Sequence, residues 1–239
     1  MGALVTAFET AVLNHWFRNE DIPGIGDAGG LRGSATAGNW YVSGCLTWPG
    51  ETASQNSGEA TYTGYLRHQA ARSSAGWSAA VNGTIAPAAP IQFGERTDGG
   101  AAQEICYVII GDSSGTGAGT ARTWGAVVDA SFVARPFSAA STASDTIRIV
   151  GHGLASGDRI AFFNFESFAN MPGGLTEGTV YHVRSGGLTA DEFTVATTAG
   201  GAAVDITSLG DGYAIKIKPI VVVQGVNPTL DSNSVVRLG

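Results

Sequence analysis

The residues with chemical potential in this chain are few and scattered. Gly111-Asp112-Ser113-Ser114-Gly115 sets Ser113 in a glycine-flanked turn of the kind that presents an acyl-transfer nucleophile. That chemistry also needs a histidine base oriented by a carboxylate. His15 falls on a helix, and His68, His152 and His182 fall in unrelated strand or turn settings. A Gly/Ser turn after a buried strand is the better account of Ser113. Gly24-Ile25-Gly26-Asp27-Ala28-Gly29 fits the dinucleotide fingerprint by letter. The fingerprint works only between a strand and a helix, where a pyrophosphate meets the helix N-terminus. Here Pro23 precedes it and Gly30 follows, so the segment reads as a loop. Neither HxxxH nor CxxC spacing occurs, and His152 beside Asp158 reads as a local hydrogen-bonding group rather than a metal ligand. No acidic-aromatic cluster marks a sugar-cleaving cleft. Cys45 and Cys106 fall in predicted strands, where two small buried hydrophobes are favoured over a disulfide. No catalytic group, cofactor or metal is expected.

The elements that would position these residues are mostly strands. The first seventeen residues hold the one convincing helix, predicted over 3–17, with Leu4, Phe8, Val12 and Trp16 at four-residue spacing. Leu13 and Phe17 widen that stripe, while Asn14 and Arg18 fall on the other side. Residues 19–39 carry six glycines and a proline and read as a long loop. From Trp40 the period drops to two, predicting strands at 40–47, 60–71, 79–85, 91–93, 104–111 and 121–133. Only 104–111 (EICYVIIG) is continuously apolar, so it is expected to be a central strand buried on both faces.

At Pro136 the composition changes, and 136–145 (PFSAASTASD) reads as a small-residue linker. Beyond it, strands are predicted at 146–150, 159–165, 180–185, 191–197, 202–208 and 213–223. That many short strands in about eighty residues make a small barrel or sandwich. The fold class expected is mainly β: an antiparallel β-sandwich with one N-terminal helix, plus a small inserted all-β, barrel-like domain.

Composition narrows the function classes. The 239 residues include 35 glycines, only 14% charged residues, and two lysines, Lys216 and Lys218. Such a low charge density suits a turn-rich β protein whose faces are partly covered by neighbours. A net charge of −7 with no basic stripe argues against nucleic acid as a partner. No run reaches 18 consecutive apolar residues, so no membrane-spanning helix is expected. The opening MGALVTAFETAVLNHWF lacks a basic n-region and carries Glu9, so it does not read as a secretory signal.

Several strings resemble a family of tailed-phage virion proteins, commonly described as tail-fibre or minor structural proteins. Residues 9–17 (ETAVLNHWF) are similar to that family's opening ENAVLNHIF. Tyr41-Val42-Ser43 and Pro49-Gly50-Glu51 match the ends of its YVSLHTADPGE, although Gly44-Cys45-Leu46-Thr47-Trp48 departs in the centre. The most specific strings are 61–67 (TYTGYLR) and 72–77 (RSSAGW), similar to SYTGYAR and RSSAGW. Looser matches follow at IQFGERTDGG, CYVII, SSGTGAG and WGAVV. The family's terminal segment resembles 222–230, closing on 234–238, so about eighty residues between Arg135 and Lys216 are read as an insertion. The insert's GHGL and GDRI, with 174–183 (GLTEGTVYHV), resemble small β modules of phage tail and fibre proteins.

The resemblance implies a non-enzymatic virion component, assembled in the bacterial cytoplasm as a tail or fibre-attachment part or as a capsid decoration. Its implied partners are other virion proteins and copies of itself, a trimer among the states allowed. The alternative is a receptor- or carbohydrate-binding module. Assembly contacts are expected at Phe8, Val12, His15, Trp16 and Phe17 of the helix, and glycan contacts at Trp48 and Phe168. Residues 1–136 with 217–239 are expected to form the main domain and 137–216 the insert. Tyr213, Ile215 and Ile217 should then face the insert's core and Val221 and Val223 the main domain, with Pro219 at the hand-over.

Overall fold

The computed structural model describes residues 5–25, 30–129, 131–132, 134–164, 170–231, 234 and 236–237. It is mainly β, with one helix and antiparallel ladders. The helix α1 (Thr6–Arg18) buries Leu13 and Phe17 completely and leaves Phe8, Val12 and Trp16 half-buried. Leu4 lies outside the described residues. Asn19 ends the helix in the left-handed region at φ 61, where its N–H donates to the His15 carbonyl and Glu20 N–H to that of Asn14. Asn14 was expected to face away from the stripe. It instead accepts from Ala80 N–H at 2.8 Å, and Thr10 Oγ1 accepts from Gly83 N–H at 3.1 Å. The apolar stripe and the polar flank that carries Thr10 and Asn14 therefore both dock onto the chain.

Two compact units share the chain: Met1–Gly125 with Ile220–Gly239, and Ala126–Pro219. In the first, β1 (Asn39–Cys45), β2 (His68–Ala71), β3 (Thr84–Ile85), β4 (Ile91–Gln92), β5 (Gln103–Ile105), β6 (Tyr107–Gly111) and β7 (Ala121–Ala126) follow α1. A four-stranded antiparallel sheet has the order β2-β1-β6-β7. Val42 faces Ile110 and Cys45 faces Tyr107 across its centre. The apolar run 104–111 breaks at Cys106: β6 is an interior strand of this sheet, whereas β5 pairs elsewhere. The expected strand over 60–71 is confined to its last four residues. Gly64 at φ 94 turns the segment before it, and Tyr62 and Tyr65 pack inward from a loop.

In the second unit, β8 (Arg135–Ser141), β9 (Thr146–Arg148), β10 (Arg159–Phe163), β11 (Val180–Val183), β12 (Glu192–Phe193), β13 (Val195–Ala196) and β14 (Asp211–Ile217) make one sheet. Its order is β12-β9-β8-β14-β10-β11-β13. The two ends of that order are consecutive in the chain, separated only by Thr194. The segment 192–196 thus pairs with β9 in its first half and with β11 in its second, closing the sheet on itself. Phe137, Ile147, Ile160, Phe162, Tyr181, Phe193 and Val195 fill the interior.

The segment read as a linker is a strand. Arg135–Ser141 alternates, with Phe137 and Ala139 buried and Ser138 and Ala140 exposed, and it pairs with both β9 and β14. Small residues weaken the strand signal, but ladders on both sides supply it. Residues 202–208, expected as a strand, form no ladder; Ile206 is buried there while its N–H donates to Asp145 Oδ1 at 2.9 Å.

The chain returns to the first unit after Pro219 through β15 (Ile220–Val222), β16 (Thr229–Leu230) and β17 (Val236–Arg237). These pair antiparallel with β5, β4 and β3 in turn, so the return segment zips backwards along 84–105. The side-chain alternation differs from expectation. Ala214 and Ile217 are buried on β14, whereas Tyr213 and Ile215 are half-buried. On β15 the buried residue is Val222, and the flanking Val221 and Val223 are exposed. The alternation slips by one residue between Ala214 and Ile217, inside β14 itself.

Candidate functional site

The string 61–67 and the loop 111–119 come together on one side of the first unit. Gln55, fully buried, clamps the loop to β1. Its Nε2 donates to the carbonyls of Tyr41 at 3.0 Å and Ser113 at 3.2 Å, and its Oε1 accepts from Ser113 N–H at 2.9 Å. Arg67, with no exposed side-chain surface, adds a second clamp. Its Nη1 donates to the Ser113 and Ala118 carbonyls at 2.9 and 2.8 Å, while Nε and Nη2 grip Glu59. Tyr65 Oη donates to Glu59 Oε1 at 3.0 Å and accepts from Gly44 N–H at 2.9 Å. Arg67, Glu59 and Tyr65 thus hold one another, and the knot is tied to β1 through Tyr41 and Gly44 and to the loop through Ser113 and Ala118.

Those partners set the local electrostatics. Burial, then the Glu59 charge, pushes the Tyr65 phenol well above its ordinary range. Burial alone pushes Tyr62 up to about 12, and burial followed by Glu59 pushes the Cys45 thiol up to about 12. Asp98 is held well below the usual carboxylate range, first by the Thr63 N–H and then by Arg96. Between the knot and the 111–119 loop lies a cleft of about 400 Å³. Tyr62 and Tyr65 pack edge-to-face at its floor, and Asn56, Thr61 and Thr116 stand at its rim.

The second specific string, 72–77, anchors the helix. Arg72 Nε donates to the Trp16 carbonyl at 2.6 Å and Nη2 to that of His15 at 3.0 Å, while the guanidinium lies over the Trp40 ring. The Trp16 carbonyl is one of those the end of α1 leaves without an intrahelical donor, and the His15 carbonyl gains a second donor beside Asn19 N–H. Trp77, 1% exposed, packs on Phe17 with ring centroids 4.5 Å apart.

The expected site residues are distributed as follows. Phe17 is enclosed between Trp77 and Trp40, so it faces the unit's own interior. Trp16 packs edge-on against Trp40, and His15 Nδ1 contacts the Glu20 carbonyl at 2.7 Å. Phe8 and Val12 keep part of their surface exposed. Trp48 is half-buried and packs edge-on against Trp124, whereas Phe168 lies outside the described residues. Ser113 Oγ accepts from Gly115 N–H at 3.2 Å, which is the bond of a Ser-turn. His152 Nδ1 accepts from Leu154 N–H at 2.9 Å. Part of the Gly24–Gly29 loop lies outside the described residues. Among the described residues no group of His, Cys, Asp and Glu side chains is arranged to hold a metal ion. Cys45 and Cys106 are both buried free thiols. Gln55, Glu59 and the cleft carry no signature in the sequence, because Gln55 and Ser113 meet only through the fold.

A family model described as Podophage GP4 fiber I protein gp80 matches residues 3–133. The match covers α1, the four-stranded sheet, both specific strings and the loop clamped by Gln55 and Arg67. No curated protein matches the chain significantly.

Proposed function

The chain belongs to the family of the podophage GP4 fiber I protein gp80, a family of phage fibre proteins, and on that premise we propose that it is a non-enzymatic structural component of the virion. It takes its place through other virion proteins and copies of itself, as a tail or fibre-attachment part or as a head fibre on the capsid. The observation that carries this reading is the match over residues 3–133. The geometry supports it. Tyr62, Tyr65 and Arg67 of one specific string and Arg72 of the other are engaged in internal bonds, as an architectural role requires. The four-stranded sheet has β2 and β7 as its edge strands, the positions through which sheets meet neighbours. No helix among the described residues is long and apolar enough to cross a membrane.

The test is a map of the intact particle by electron cryo-microscopy, with peptide mass spectrometry of the same preparation. The expected result is density fitted by α1 and the β2-β1-β6-β7 sheet, at the tail or on the capsid surface. Particles purified from a productive infection that contain neither the peptides nor the density would overturn the reading.

A further inference from the structure

We infer that the cleft between the 61–67 string and the 111–119 loop binds a neutral saccharide. Its volume of about 400 Å³ lies in the range of roughly 300–1,000 Å³ found for small-molecule sites. Its rim offers both senses of hydrogen bond. Asn56 Oδ1 accepts from Ser54 Oγ at 2.6 Å, which leaves the exposed Asn56 amide nitrogen free to donate. Thr61 Oγ1 accepts from Gln103 Nε2 at 3.0 Å and keeps its own O–H to donate. The exposed Thr116 hydroxyl donates and accepts. Glu59 keeps unshared lone pairs beyond those taken by Arg67 and Tyr65.

Charge decides the ligand class. The side-on Arg67 guanidinium cancels the Glu59 carboxylate within the same knot, so the cleft holds no uncompensated charge to select an ion. What remains is a set of hydroxyl, amide and carboxylate groups over two tyrosine rings. A sugar presents the complement, with equatorial hydroxyls around a C–H face that rests on aromatic edges. The site is also preorganised. Gln55 and Arg67 fix the loop wall, so little conformational freedom is lost on binding. Saccharide binding requires nothing from the particle, so failure of this inference and failure of the virion reading are separate results.

The test is a titration of the ¹⁵N-labelled full chain, followed by amide chemical shifts. The probes are methyl β-D-glucopyranoside, N-acetylglucosamine and methyl α-L-rhamnopyranoside, each up to about 50 mM, which captures dissociation constants in the millimolar range. The expected result is saturable shifts at 56–65 and 116–117 with at least one of them. Asn56→Asp keeps the acceptor for Ser54 and removes the amide donor, and Thr116→Val removes the exposed hydroxyl. Each should weaken that binding about fivefold to tenfold with an unchanged circular dichroism spectrum. The inference is overturned if no probe shifts the cleft, if shifts gather around Trp48 instead, or if both variants bind as the parent does. Response to cationic glucosamine or inorganic phosphate but not to the neutral sugars would mark an ion site and overturn it as well.

Discussion

Arg67 meets Glu59 side-on, with Nε 2.6 Å from Oε1 and Nη2 2.7 Å from Oε2, and the pair is almost entirely out of solvent. Burial of this kind costs much of what the Coulomb attraction returns, so the pair is weak evidence of net stability. Removing one partner is another matter, because an uncompensated charge stays buried. Arg67→Met or Glu59→Leu alone should each lower the unfolding free energy by about 3–5 kcal/mol. The double variant should lose distinctly less than the sum. Urea unfolding of the four proteins measures the coupling, and strict additivity would show that the two groups act separately.

The displaced ionisations set a stability window in pH. The Cys45 thiol moves from its ordinary 9.0 up to about 12, and Tyr62 from 10.0 up to about 12, both chiefly through burial. The folded chain therefore holds protons there that the unfolded chain has released, and stability falls as pH rises between about 9 and 12. Asp98 runs the other way: its depressed carboxyl contributes above its ordinary 3.8 and loses that contribution as pH falls further. Thermal melts across pH should show a plateau between those limits. Native Cys45 should also resist a disulfide exchange reagent at mildly alkaline pH and react once urea is added.

Arg72 closes the end of α1 by donating to the carbonyls of His15 and Trp16. Arg72→Ala leaves the Trp16 carbonyl without its donor, takes the second donor from the His15 carbonyl, and removes the guanidinium from the Trp40 face, for a loss of about 2–4 kcal/mol. Hydrogen exchange should accelerate first at the amides of residues 14–18. Arg72→Lys should recover only part of the loss, since one ammonium does not reproduce the fork. Equal protection in the alanine variant would show that Phe17 and Trp77 hold the helix unaided.

Gly64 sits at φ 94, where an added Cβ would run into the backbone carbonyl oxygen of Glu95. Gly50 has a similar φ of 79 but open space around it. Gly50→Ala should therefore cost only the left-handed strain of about 1–2 kcal/mol. Gly64→Ala should cost more than that, and it should disturb the cleft floor at Tyr62 and Tyr65. Comparable melting temperatures for the two variants would show that the Glu95 carbonyl moves aside.

How far the sequence carried this reading depends on the range of the interactions involved. The four-residue spacing of Phe8, Val12 and Trp16 is local, and it marked α1 to within a few residues of its observed bounds. The alternation in 40–47 and the apolar run in 104–111 are local too; the first falls on β1 of the four-stranded sheet, and the second is divided between β6 of that sheet and β5, which pairs with β15. The strand at Arg135–Ser141 was hidden because Ser138, Ala139 and Ala140 have little strand preference of their own. Its ladders come from residues about ten and about seventy-five positions away. Tyr62 and Tyr65 gave a false strand signal, because inward-facing aromatics spaced around a glycine turn imitate a half-buried strand. The cleft was invisible for the same reason as β8: Gln55 and Arg67 act on Ser113, which lies 58 and 46 residues along the chain.

The closed sheet of the second unit makes a sharp prediction about where the chain can be cut. Cutting at 138 and 215 follows the composition change near Pro136. It would discard Arg135, Pro136 and Phe137, which pair with Ala214, Tyr213 and Gly212. It would also discard Ile217 and Phe132, both buried, and it removes the Phe137 ring from Phe162, 4.7 Å away between centroids. Losing a phenylalanine from a core of this kind costs about 3–5 kcal/mol, a large share of what holds a small domain. The fragment 126–219 keeps all of these, along with the Lys216 contacts to Asp158 and Asp129. Expressed alone, 126–219 should melt in one cooperative transition with well-dispersed amide shifts. The fragment 138–215 should bind a hydrophobic dye and melt without a clear midpoint. If the shorter fragment melts as sharply as the longer one, then the ladder of β8 with β14 is not what closes the sheet.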